Sequence, residues 1–254
     1  MELDLKGKRA LVTGGTRGIG RAIVEQLASE GVQVALCARK PVEVQAAVDA
    51  LTKSGHRAVG EAADVSKPEE LRRWVENSAR ALGGIDILVA NASALASGAD
   101  AAAFRKAFET DLLHTVNLVE FSRPWFEKSS SASIVAIASV SGVEDYGFGD
   151  AAYGSMKAAL LFYIKSLARD LAPRGIRANV VSPGTTLFED GYWGGVQRDQ
   201  PAAFAEAIAA NPMGHMATPE DIARAVAFVA SPAAGFVTGI NFVVDGSITR
   251  RIQN

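Results

Sequence analysis

Short apolar runs alternate with longer amphipathic stretches along this chain. Lys8 to Thr13 reads as a strand that runs into glycines, and Ile19 to Ser29 repeats apolar residues at helical spacing (Ile19, Ala22, Ile23, Leu27). The alternation continues with a strand at Val32–Ala38, a helix at Val42–Leu51, a weak strand at Ala58–Ala63, a helix from Pro68 to about Leu82 and a strand at Ile87–Ala90. Pro68 suits a first helical turn because no amide needs a partner there, and Glu69 and Glu70 meet the positive end of the helix dipole. A long helix from about Ala101 to Phe126 follows, expected to bend near Pro124. Beyond it the pattern predicts a strand at Ser133–Ala138, a helix at Ala151–Leu171 and a strand at Ile176–Val181. Residues 184–218 read as loop with one helical patch near Pro201–Ala210, before a helix at Pro219–Ala230 and a last strand at Ile240–Val244.

The strands are continuous apolar runs, as expected when both sheet faces are covered. Strands alternating with helices of this length form right-handed βαβ units. The expected architecture is α/β: one domain over residues 1–254, a doubly wound parallel sheet of about seven strands, helices on both faces, and a substrate lid at about 185–217.

Composition narrows the function classes. With 48% hydrophobic and 21% charged residues, the 254-residue chain is neither disordered nor fibrous. Its 26 basic and 28 acidic residues leave a net charge of −2, no footprint for nucleic acid. The single cysteine, Cys37, cannot form an internal disulfide or a cysteine-based zinc site, and suits a reducing, cytoplasmic setting. Met1-Glu2-Leu3-Asp4 is too acidic for a signal peptide, and the longest charge-free stretch, Ala225 to Val244, is broken by Pro232, Gly235 and Gly239, so no membrane span is expected.

After the first strand comes Thr13-Gly14-Gly15-Thr16-Arg17-Gly18-Ile19-Gly20. Glycines let backbone amides approach an anion, and the following helix adds its positive end, so the segment suits a pyrophosphate. At the end of the second strand an acid favours NAD through the ribose 2′-hydroxyl; here stands Arg39, which with Arg17 suits the 2′-phosphate of NADP through charge-assisted hydrogen bonds. Asp64-Val65, after the third strand, falls on the adenine side or caps the next helix.

Tyr153 and Lys157 are four residues apart on a predicted helix and share a face. A phenol is a poor proton carrier at neutral pH, and a neighbouring ammonium favours its anion. The preceding strand ends Ala138-Ser139-Val140-Ser141, which places a hydroxyl of Ser139 or Ser141 in the crevice at the strand ends.

Together these segments resemble the short-chain dehydrogenase/reductase family over essentially the whole chain. The glycine loop, Asp64-Val65, Ser139, Tyr153-x-x-x-Lys157, Asn179-Val180-Val181-Ser182-Pro183-Gly184, Phe236-Val237-Thr238-Gly239 and Val243-Val244-Asp245-Gly246 match its motifs in order. The resemblance implies a Rossmann-type fold and hydride transfer between a nicotinamide cofactor, NADP(H) in preference to NAD(H), and a carbonyl/secondary alcohol pair. It implies Tyr153 as general acid/base, Lys157 as its activator and ribose contact, and Ser139 orienting the substrate oxygen. Cofactor contacts are implied for Gly14, Thr16, Arg17, Gly18, Ile19, Gly20, Arg39, Asp64, Val65, Asn91, Tyr153, Lys157, Pro183, Gly184 and Thr186. No metal is implied, and family members form homodimers or homotetramers, often through the long helices. Within the family it looks closest to the broad group holding 3-oxoacyl-carrier-protein reductases and sugar or cyclic-alcohol dehydrogenases. A different class, a dinucleotide-binding regulator without turnover, is opposed by the intact Ser139, Tyr153 and Lys157.

Three positions depart from the pattern. The family's Asn-Asn-Ala-Gly is Ala90-Asn91-Ala92-Ser93 here, and the spacing from Ser139 to Tyr153 is one residue longer than usual, which the loop Gly142–Asp150 must absorb. The family's fourth catalytic residue, an asparagine, is Asp111; the change matters little if the role runs through the backbone carbonyl and a water, and otherwise its charge attracts Lys157 and alters the proton relay. Leu95, Tyr146, Phe148, Phe188, Tyr192 and Trp193 in the loops beyond the strands suggest an apolar pocket for a hydrophobic or cyclic ketone or alcohol, under a lid made mobile by Gly191, Gly194 and Gly195.

Overall fold

A computed structural model describes residues 2–126, 128–147 and 149–252. Seven strands form one sheet: β1 (Arg9–Thr13), β2 (Gln33–Ala38), β3 (Ala58–Ala62), β4 (Ile87–Ala90), β5 (Ser133–Ile137), β6 (Arg177–Pro183) and β7 (Asn241–Val244). Their order is β3-β2-β1-β4-β5-β6-β7, and every pair is parallel. The helices are α1 (Gly18–Ser29), α2 (Pro41–Lys53), α3 (Pro68–Leu82), α4 (Ala101–Ala107), α5 (His114–Phe126), α6 (Ala151–Leu171), α7 (Tyr192–Asp199), α8 (Pro201–Ala210) and α9 (Pro219–Ala230). This is the Rossmann-type arrangement expected, and its strand order reverses direction between β1 and β4, the place where open parallel sheets bind ligands.

Strand residues sort by parity onto two buried faces. Leu11, Ile134 and Ala136 join Trp74, Leu118, Phe126, Leu160 and Ile164 beneath α3, α5 and α6. Ala10, Val12, Val135 and Ile137 join Ile23, Leu27, Val44, Leu51, Ile222 and Val226 beneath α1, α2 and α9. Since both faces are covered, alternation disappears from the strand sequences. At the opposite end from the crevice, Arg9 clamps Asp86 with two parallel bonds (Nε–Oδ2 2.7 Å, Nη2–Oδ1 2.9 Å), joining β1 to the approach of β4. The guanidinium of Arg177 donates to the carbonyls of Val229, Ala230, Ser231 and Val237, stopping α9 with a buried cation at its negative end.

Two expectations are corrected. The helix expected to run unbroken from Ala101 to Phe126 is interrupted at Phe108–Leu113, a π-helical turn between α4 and α5, and α5 carries Pro124 in its last turn. A π turn inserts an extra residue, so its cause is what that residue reaches, not a missing amide. Residues 184–218 hold two helices rather than one. The glycines at 194 and 195 lower the helical preference of α7, and packing supplies what propensity does not.

Candidate active site

The C-terminal ends of β1, β4, β5 and β6 bring the predicted segments to one crevice. The amides of Gly14 and Gly15 donate to the Cys37 carbonyl (2.9 and 3.2 Å), which bends the glycine loop over β2. Asn91 fastens the loop from the other side: its Nδ2 donates to the carbonyls of Thr13 (2.9 Å) and Gly14 (3.2 Å). A Cβ on Gly20 would stand 2.1 Å from the Gly14 carbonyl oxygen, so the helix start can approach the loop this closely only as glycine. Asn91 therefore shapes the cradle with its side chain.

The cradle's flanks differ from the simplest expectation. Arg39 is exposed just beyond β2. Arg17 is turned to the lid, where Nη1 donates to the Asp190 carbonyl (3.2 Å). The first turn of α2 adds Glu43, whose carboxylate pairs with Lys40 at 2.7 Å and is held below its usual range first by that bond, then by the charge of Arg17 and by Thr16. The flank that holds Arg17, Arg39 and Lys40 thus also carries one carboxylate, a group whose sequence position gave no signal. Asp64 serves its own turn, with Oδ1 accepting from the amide and hydroxyl of Ser66, while Val65 is buried.

Pro183 closes β6 and Gly184 follows it against the backbone of Asp245. Thr186, expected as a cofactor contact, is buried and donates to the Gly184 carbonyl (3.2 Å), and it bridges to Ala217 at the base of the lid. Its neighbour Thr185 instead keeps a buried hydroxyl oxygen without a hydrogen-bond partner. The ring of Phe188 lies against the glycine loop: a Cβ on Gly18 would fall 2.6 Å from it.

Ser139 lies just beyond β5 with extended backbone, and its hydroxyl oxygen accepts from the Ser141 amide (3.1 Å) while its proton stays available. The turn Val140–Gly142 is pressed on α6, since a Cβ on Gly142 would lie 2.8 Å from the Lys157 carbonyl carbon. That contact sets the distance between the strand end and the helix turn carrying Tyr153 and Lys157. The Lys157 ammonium is 5.3 Å from the Tyr153 ring centroid.

Lys157 is buried, donates to the Ile137 carbonyl (3.0 Å) and makes an ion pair with Asp111 (Nζ–Oδ1 3.0 Å). Burial alone pulls the ammonium down; the Asp111 carboxylate, then Tyr153, outweigh it and hold the group above its ordinary value. The π turn makes this possible by rotating Asp111 inward, where Oδ2 also accepts from the Ala94 amide (3.2 Å).

Behind the pair stands His114, fully buried, which the sequence reading missed because a lone histidine in an amphipathic stretch carries no spacing signal. Its Nδ1 lies 2.6 Å from the Thr110 carbonyl, which can only accept, so Nδ1 carries the proton and Nε2 accepts from the Thr13 hydroxyl (3.2 Å). Burial lowers its pKa to about 4 despite the Thr110 bond and Asp111. Ser93, which replaces the usual glycine, supports its own loop by accepting from the Leu95 amide, and Leu95, two residues on, takes a left-handed φ of 44°. The extra residue before Tyr153 is taken up by a loop with left-handed turns at Gly147 and Gly149; Phe148 lies outside the described residues.

Residues 14–249 match the family model described as enoyl-(acyl carrier protein) reductase. The chain belongs to the short-chain dehydrogenase/reductase family. It is 39% identical over 247 residues to isoepoxydon dehydrogenase of Penicillium expansum, covering 96% of this chain and 95% of the relative. It is 35% identical over 250 residues to the 3-oxoacyl-[acyl-carrier-protein] reductase of Escherichia coli, covering 97% and 99%. A short chain dehydrogenase from Burkholderia cenocepacia, solved in complex with NADP, superposes with a TM-score of 0.87 at 32% identity over 96% of this chain and 98% of that one. A blue fluorescent protein from a metagenomic library, solved with NADPH, gives 0.86 at 32% identity over 97% and 99%. As a member of this family the protein is an oxidoreductase. No helix among the described residues is long and apolar enough to cross a membrane.

Proposed function

We propose that this enzyme interconverts a carbonyl and a secondary alcohol with NADP(H), with Tyr153 as the general acid/base. The observation that carries the reading is the buried ammonium of Lys157 one helical turn from Tyr153 and 5.3 Å from its ring, at the strand ends where the glycine loop opens. The cofactor fits the residues present. The close approach at Gly20 leaves backbone amides free to meet a pyrophosphate, the exposed Arg39 suits a 2′-phosphate, and the orphaned hydroxyl of Thr185 stands at the end of β6 where a polar ligand group would satisfy it. The preference for NADP(H) draws support from the two ligand-bound neighbours.

When bound, the nicotinamide supplies or takes the hydride at the substrate carbon. The chain's own residues handle the oxygen and its proton. Ser139 donates a hydrogen bond to the substrate oxygen. Tyr153 gives that oxygen a proton during reduction and takes it during oxidation. Lys157 stabilises the phenolate and presents its remaining N–H toward the ribose side. Leu95, Tyr146 and Phe188, with the edge-to-face pair Tyr192 and Trp193 (centroids 5.2 Å apart), supply apolar side chains in the loops beyond the strand ends, which supports a hydrophobic or cyclic substrate. Phe108 in the π turn and Phe162 on α6 are exposed, the latter by 79%, which supports assembly as a homodimer or homotetramer through these helices. The cytoplasm is the proposed location.

The test is NADPH consumption with a panel of cyclic ketones, and NADP reduction with the matching alcohols. Tyr153→Phe is expected to lose at least about a hundredfold in rate while binding NADPH normally. Binding without turnover on every substrate would instead identify a silent dinucleotide-binding regulator.

A further inference from the structure

We propose that Asp111 is a positioning residue that balances the charge of Lys157 beside Tyr153 and so sets the pH dependence of alcohol oxidation. The inference rests on the acid/base reading of Tyr153 above. Its basis is geometric. Asp111 has a fully buried side chain, Lys157 is nearly as enclosed, and their charged atoms stand 3.0 Å apart. The second carboxylate oxygen is fixed by the Ala94 amide, so the carboxylate is held from two sides. With asparagine in this place the site would present a net positive charge to the phenol; with aspartate it presents a dipole whose field falls off faster with distance.

The other groups facing the pair leave this balance intact. His114 of α5 is neutral, with both ring nitrogens committed to Thr110 and Thr13. Ile137 of β5 offers a carbonyl. Arg105 and Lys106 of α4 and Glu109 of the π turn are exposed, and Arg177 of β6 is turned to the end of α9. On α6 itself, only Tyr153 shares the buried face of Lys157 as a titratable neighbour within ring contact among the described residues.

In reduction the carbonyl carbon gains a hydride and its oxygen gains the Tyr153 proton; the reduced nicotinamide is oxidised, and water reprotonates the phenolate. In alcohol oxidation Tyr153 must first lose its proton, and that step is the one Asp111 delays. Asp111→Asn is therefore expected to move the acid limb of the oxidation profile about one pH unit lower, roughly tenfold more oxidation at a fixed pH on that limb. The tyrosinate absorbance of the cofactor-free protein, taken as the difference from the same protein carrying Tyr153→Phe, is expected to appear at correspondingly lower pH. A purely structural role would lower the rate at all pH values and move neither curve, and unmoved curves in a folded Asp111→Asn protein overturn the proposal. Should that variant not fold, Asp111→Ser takes its place, read by the same two curves with the same outcomes. Loss of activity in Tyr153→Phe is read separately and tests only the underlying reading.

Discussion

The imidazole of His114 and the hydroxyl of Thr13 meet at 3.2 Å across 101 residues of chain, tying the π turn to the end of the first strand. Thr13 in turn accepts from the amides of Asn91 (3.0 Å) and Ala92 (3.2 Å). One neutral ring thus joins the segment that carries Asp111 to the two strand ends that carry the cofactor loop.

This joint should make the fold sensitive to acid. Unfolded, His114 takes a proton at about its ordinary 6.5; folded, burial delays this to about 4. The unfolded chain therefore binds more protons between those values, and stability falls as pH falls through that window. The displacement corresponds to roughly 3 kcal/mol, fully lost below about pH 4. Urea unfolding of the parent and of His114→Gln at a series of pH values checks it: the variant, which cannot titrate here, is expected to be less stable near neutrality and to lack that part of the slope.

The proposed preference for NADP(H) puts the 2′-phosphate on Arg39, since Arg17 already serves the Asp190 carbonyl and Glu43 shares its neighbourhood. Arg39→Ala is expected to weaken NADPH binding about ten- to a hundredfold, the worth of a charged hydrogen bond, and to leave NADH within about twofold. Titration calorimetry with both cofactors measures this. Equal losses for the two would remove the assignment.

The spacing of Ser139 from Tyr153 depends on a missing side chain. In Gly142→Ala the added carbon meets the backbone of Lys157 and Ala158 at 2.8 and 2.9 Å, and backbone cannot rotate away. The turn must lift from α6. We expect a loss of about 1–3 kcal/mol in stability and about a hundredfold in turnover, with NADPH affinity little changed, because the glycine loop lies on another strand. Thermal unfolding, steady-state kinetics and cofactor titration separate the three effects.

Much of the molecule was legible along the chain. Pro68–Leu82, Ala151–Leu171 and Pro219–Ala230 were bounded correctly because each shows a period of 3.6 and local start or stop residues. The parallel sheet followed from unbroken apolar strands. The glycine loop and the Tyr153–Lys157 turn were legible because their chemistry is confined to a few adjacent residues. The π turn at Phe108–Leu113 was not, because it goes with the docking of Asp111 on Lys157 and His114 on Thr13, partners 46 and 101 residues away. The turning of Arg17 and Thr186 toward the lid was equally hidden, since a side chain's direction there depends on which distant carbonyl is left unpaired.

Local periodicity and motif spacing, then, determined the order of elements, the two covered faces of the sheet and the pairing of Tyr153 with Lys157 on one helical turn, because each of these is an interaction among near neighbours in the chain. Tertiary packing alone decided the electrical state of the site. The charge carried by Lys157 is balanced by a carboxylate that only the π turn brings inward, and burial, which sets how strongly those two charges act and keeps His114 neutral, exists only once the helices have closed over the sheet.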